Sequence, residues 1–179
     1  MHTSDSYSEL VNRMYGHSQK EGHRSYPATC FEISLLVQAQ QRASRKEVAL
    51  FNKLSEIFDW NMSKRQRNAY SKKMETGFTL VLTDLTQTIL WTSNNFLTMT
   101  GYSQAEVVGK TPTLLQGPKT DPLTTLRMRE SLGKSDSVRA DVMNYRKNGE
   151  PYLCRVQIDP PFDNQGELTH FLAVESELV

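Results

Sequence analysis

The chain has 179 residues, 37% hydrophobic and 23% charged, with a net charge of +1; this suits one soluble domain with an appendage and argues against general nucleic-acid affinity. No apolar run reaches the roughly 18–20 residues that cross a bilayer, Ile33-Ser34-Leu35-Leu36-Val37 being about as dense as any. The start, Met1-His2-Thr3-Ser4-Asp5, lacks the order of a secretory signal, and two distant cysteines, Cys30 and Cys154, suit a reducing compartment, so a cytoplasmic location is expected.

Residues 1–76 hold twelve Lys and Arg against eight Asp and Glu, whereas residues 77–179 hold nine against twelve. The basic runs Lys64-Arg65-Gln66-Arg67 and Lys72-Lys73 read as solvated helix faces, because no interleaved aromatics accompany them. Residues 1–76 are expected to form a helical extension whose first 29 or so residues are loose. Phe31 to Ala43 carries apolar residues at helical spacing. Ser44-Arg45-Lys46-Glu47 has the form of a capping box and predicts a second helix, whose stripe Val48, Phe51, Leu54, Phe58 runs up to Trp60. Ser63 predicts another helix through Tyr70. Such a stripe needs a cover, which the sheet, a second subunit, or both are expected to supply.

A second part, residues 77–179, opens with the strand-like Phe78–Thr83, a turn through Asp84–Thr88 and a strand at Ile89–Ser93. Short helical pieces are predicted at Asn94–Met99, Ser103–Val107 and Thr111–Leu115, and Asp121-Pro122 caps a longer helix to Leu132. Strands at 137–146, 151–160 and 167–176 close the chain, with turns at Asn148-Gly149 and Asp163–Gly166. Alternation places Val138, Ala140, Val142 and Asn144 on one face, Tyr152, Cys154, Val156 and Ile158 on the next strand's matching face, and Phe171, Ala173 and Glu175 together on the last.

The order of these elements and five passages together resemble the PAS sensor family, nearest its LOV branch. The passages are Asn95-Phe96 with Met99-Thr100-Gly101-Tyr102-Ser103, then Glu106 with Gly109, Gly109–Gly117, Gly117-Pro118-Lys119-Thr120-Asp121-Pro122, and Asn144-Tyr145-Arg146-Lys147-Asn148-Gly149. The resemblance covers about Thr79 to Glu175. It implies an α+β PAS fold, a five-stranded antiparallel sheet with helices on one face, preceded by the helical extension. In LOV proteins the loop reads Gly-Arg-Asn-Cys-Arg-Phe-Leu-Gln-Gly, and its cysteine attacks a flavin in blue light. Here Gly109-Lys110-Thr111-Pro112-Thr113-Leu114-Leu115-Gln116-Gly117 stands in its place, with Pro112 at the cysteine position.

The resemblance also supplies the ligand-pocket residues. Gln116, Arg129 and Asn144 match a ring-contacting glutamine, a phosphate arginine and a ring-contacting asparagine. Thr111 replaces an asparagine, Thr113 the other phosphate arginine, Cys154 a second ring asparagine, and Glu175 the signalling glutamine. Each lost contact is worth roughly 1–3 kcal/mol in a desolvated site, and several together about three to four decades of affinity. An ionised Glu175 has no proton to donate and sits poorly in an apolar pocket. Glu175 is expected at a sheet edge or paired with Arg129 or another cation, the alternative being a remodelled cavity in which it meets an amine or hydroxyl-bearing ligand beside Gln116 and Asn144. Cys154 is expected as a small buried hydrophobe rather than a nucleophile. Leu114, Leu115, Phe96 and Met128 offer a way to fill the pocket with side chains.

No cofactor is therefore the expected state, with FMN or another flavin as the alternative. A haem reading fails for want of a histidine between Gly77 and Thr169, and no metal-ligand spacing or catalytic grouping is evident, so the chain is read as non-enzymatic. The function expected is a PAS-type sensory or interaction module. It is expected to act as a homodimer, to signal through a partner protein because no output segment follows, and to take a small-molecule ligand if any, without nucleic-acid or membrane binding.

Overall fold

The computed structural model describes residues 28–178, so the expected loose beginning, with His2, His17 and His23, lies outside the described residues. The chain divides into two units at Ala39/Gln40. Helix α1 spans Ala28–Ile57. The expected interruption at Ser44 does not occur: no Gly or Pro stands between Thr29 and Ile57, and a lone serine is tolerated inside a helix. Glu47 does not reach back to Ser44; its carboxylate accepts from the backbone N–H of Asn94.

Helix α2, Lys64–Glu75, begins as expected and runs on past Tyr70, where its sequence signal ends, to Glu75. The Ser63 hydroxyl accepts from the Gln66 N–H at 3.2 Å, and Gln66 Oε1 accepts from the Ser63 N–H at 2.9 Å. Gly77, at φ +94°, then turns the chain into the sheet.

The five strands are β1 Thr79–Thr83, β2 Ile89–Thr92, β3 Val138–Tyr145, β4 Pro151–Asp159 and β5 Phe171–Glu177. They pair antiparallel in the order β2-β1-β5-β4-β3. Between β2 and β3 come α3 Asn95–Thr100, α4 Gln104–Val107, a 3-10 turn Pro112–Leu115 and α5 Pro122–Gly133. The Asp121 carboxylate caps α5, accepting from the N–H groups of Leu123 and Thr124 at 3.1 Å.

The family passages act as joints. Gly101, at φ +77°, ends α3, where the Lys147 N–H donates to the Thr100 carbonyl at 2.9 Å. Glu106 accepts from the Ser103 N–H at 3.0 Å and pairs with Lys147. Arg146 donates to the Met99 carbonyl and pairs with Glu177 at 2.6 Å. These contacts fasten the short helices to one end of the sheet.

Both sheet faces are covered. On one, Val81, Val142, Val156 and Ala173 pack with Phe96, Val107 and Leu115. On the other, Leu80, Leu82, Trp91, Leu172 and Val174 pack with Phe51, Trp60 and Met74, flanked by Val48, Leu54 and Phe58. The expected stripe thus finds its cover on the sheet of its own chain: the connecting helices lie on one face, as expected, and the helical extension covers the other. His170 is buried and hydrogen-bonded: its Nδ1 accepts from Trp60 Nε1 at 3.3 Å, which leaves the neutral ring with its proton on Nε2.

Phe51 is wholly buried, with ring centroids 5.8 Å from Tyr70, 6.2 Å from Trp91 and 6.3 Å from Trp60. Phe51→Ala leaves a cavity against the sheet and is expected to cost about 3–5 kcal/mol, read as a lowered urea midpoint with the slope unchanged.

Candidate functional site

A cavity of about 110 Å³ lies between the sheet and the connecting segments. A single water needs only roughly 10–15 Å³ by the same measure, so side chains leave real room. Of the four side chains expected to fill the pocket, Leu115 and Met128 form part of its wall, while Phe96 and Leu114 pack in and against the core. The strand faces supply apolar walls: Val81 from β1, Val142 from β3, Val156 and Ile158 from β4, Phe171 and Ala173 from β5.

Polar groups meet these walls. Asn144 from β3 and Glu175 from β5 are both 6% exposed, and Gln116 follows the 3-10 turn. Arg129 and Thr125 come from α5, and Thr113 and Pro112 from the turn itself. Arg129 enters none of the ion pairs among the described residues. The connector bearing Gln116 is held close to β3: the Gly117 N–H donates to Thr120 Oγ1 at 2.9 Å, and the Lys119 N–H to the Tyr145 hydroxyl at 2.9 Å. A Cβ on Gly117 would stand 2.4 Å from the Tyr145 ring, so only glycine permits this approach.

Of the seven residues expected here, five line the cavity: Gln116, Arg129, Asn144, Glu175 and Thr113. Thr111 is exposed and shares a hydrogen bond with Thr113, outside the wall. Cys154 is fully buried in the core behind the cavity, its Sγ 4.0 Å from Glu175 Oε2. Burial, reinforced by the Glu175 carboxylate, pushes its thiol far above the usual range, so it stays protonated and unreactive. Thr83 and Gln87 also line the wall. Strand alternation from Val81 would have found Thr83; Gln87 sits at φ +66° in a turn, where no periodicity points it inward.

Glu175 differs most from expectation. It is not at a sheet edge but on central β5, opposite Thr79 of β1 and Val156 of β4. It makes no ion pair with Arg129, the only cation on the cavity wall among the described residues. Burial pushes its carboxyl up from 4.5 to about 7. A carboxyl with that value spends much of its time protonated near neutrality, and the neutral acid is a hydrogen-bond donor. The objection that Glu175 has no proton to give therefore falls.

The fold and cavity define a sensory PAS-type module, a cavity roofed by short helices over a five-stranded sheet. The chain belongs to the PAS domain family, which matches residues 75–177. Protein TWIN LOV 1 of Arabidopsis thaliana is 39% identical over 88 residues, 49% of this chain and 22% of that protein. A blue-light-activated histidine kinase of Brucella anthropi is 37% identical over 90 residues, 50% of this chain and 18% of that one. The match thus spans about a fifth of those relatives' length. A structure solved under the heading "Flavin Analogue Sheds Light on Light-Oxygen-Voltage Domain Mechanism" shares 30% identity at a TM-score of 0.58, covering 62% of this chain and 85% of that one. These matches correct the expectation of no cofactor: the similar proteins are LOV proteins, and one solved neighbour is described with a flavin analogue.

The sign of the Glu175 effect on stability follows from its raised value. Below pH 4.5 folded and unfolded carboxyls are both protonated; between 4.5 and about 7 the unfolded one ionises first, so stability falls as pH rises and then levels off. Relative to Glu175→Gln, the wild-type ligand-free chain is expected to lose about 3 kcal/mol between pH 4 and pH 8, measured by urea unfolding of both proteins across that range.

Proposed function

We propose that the chain is a non-enzymatic PAS/LOV-type sensory module that takes a flavin, riboflavin or its phosphate, into this cavity. The carrying observation is the donor set on the cavity wall: Gln116, Asn144 and Glu175 between apolar faces, with Arg129 as a cation on the same wall. Apolar walls suit a flavin ring, and the amides each offer a donor and an acceptor to its edge. Glu175 as a neutral acid adds a further donor. Arg129 would meet a phosphate, its planar fork matching two of the oxygens. When bound, a flavin supplies a light-absorbing ring that exchanges electrons and protons.

A thiol adduct has no partner here, because Pro112 carries no sulfur and the Cys154 thiol is buried and held protonated. Any response to light or redox state would run through hydrogen bonds from the wall to β5 and β4, and from the sheet's other face to α1 and α2. Output would pass to a partner protein, and exposed Leu50 and Ile57 on α1 support pairing with a second copy.

Purified chain mixed with riboflavin phosphate and then desalted is expected to stay yellow, with about one flavin per chain and no adduct bleaching under blue light. Arg129→Ala is expected to weaken riboflavin phosphate roughly 10- to 100-fold while leaving riboflavin nearly unchanged. Colourless protein that neither retains nor quenches added flavin overturns the reading.

A further inference from the structure

Resting on the flavin reading above, we propose that Glu175 makes ligand binding proton-linked: as a neutral acid it donates to an acceptor on the flavin ring edge, and as a carboxylate it opposes binding there. The geometry supports this before any titration is considered. Glu175 is 6% exposed on the middle strand of the sheet, and its side chain lines the cavity. Its one hydrogen-bond partner among the described residues is the weak donor Cys154 Sγ at 4.0 Å. A buried carboxyl without a strong donor or cation is an acceptor poorly served when ionised, and a donor in search of an acceptor when neutral.

The charged and titratable groups around it do not offset this. From β4, Cys154 is protonated, and buried Tyr152 keeps its phenol protonated, its hydroxyl without a hydrogen-bond partner. From α5, Arg129 stands beyond ion-pair distance. On β5 itself, Glu177 is exposed and already paired with Arg146 at 2.6 Å. Asn144 of β3 and Gln116 after the 3-10 turn carry no charge. With burial raising the carboxyl to about 7, the neutral and ionised forms exchange within the ordinary range of cellular pH.

Glutamine at this position would donate at every pH; a carboxyl donates only while it holds its proton. Affinity should therefore fall about tenfold per pH unit above the carboxyl's value.

The test is riboflavin binding by fluorescence quenching between pH 6.5 and 8.5, riboflavin being chosen because it has no phosphate to titrate. Wild type is expected to bind roughly 20-fold more weakly at the upper pH, whereas Glu175→Gln should bind equally across the range. Infrared absorption of the protonated carboxyl in wild type serves as a second measurement that needs no variant to fold. Riboflavin should preserve that band at pH 8.5 and its removal should abolish it. Binding by wild type that is flat with pH, or a fall retained in Glu175→Gln, overturns the proton linkage and leaves the flavin reading intact. A wild type that takes no riboflavin at any pH overturns both.

Discussion

β5 runs through the middle of the sheet with each of its faces against a different layer. Phe171, Ala173 and Glu175 line the cavity, while Leu172 and Val174 press on Phe51, Trp60 and Met74. A strand buried on both faces has no solvent to relieve an ill-fitting residue, so every side chain on it must match its layer. The aromatic packing behind the sheet lets the front keep a space: the strands are held from one side, and the other need not collapse. Glu175, the one buried carboxyl on that strand, therefore sits where no water relieves its charge.

Polar joints reinforce the apolar packing of Phe96, Val107 and Leu115 in fixing the short helices. Arg146, Lys147 and Glu106 tie α3 and α4 to the end of β3, and Thr120, Tyr145 and Gly117 hold the connector against it. Much of what marks the family in this sequence is thus scaffold. The Gly117–Pro122 and Asn144–Gly149 passages place the roof of the cavity, and Asn144 also stands on its wall. The chain departs from the LOV pattern at Pro112, Thr113, Cys154 and Glu175 and keeps the five-stranded sheet.

The departures do not weigh equally. Cys154 has withdrawn into the core and Thr111 lies outside the wall, so neither replacement changes the cavity's own surface. Thr113 replaces a charge at the wall and leaves Arg129 as its one cation among the described residues. Glu175 keeps a donor in place, but makes it conditional on a proton. The cavity combines apolar walls with a single cation and a titratable carboxyl among the described residues.

Local chemistry was enough to read the order of strands and short helices, the Ser63 and Asp121 caps, and the inward faces of β3 and β4; the family resemblance supplies seven candidate pocket residues, of which five stand on the cavity wall. Period-2 alternation and side-chain caps act over a few residues, so the sequence carries them openly. The unbroken α1 was not legible, because a capping box at Ser44 is a local preference that surrounding helix overrides. Nor was the state of Glu175. Its charge depends on how much water and which counter-charges the folded chain leaves around it, and residues distant in sequence set that. The sequence determined that an acid stands on β5; only the tertiary structure, by placing it at the centre of the sheet and away from Arg129, decided that this acid holds a proton near neutral pH.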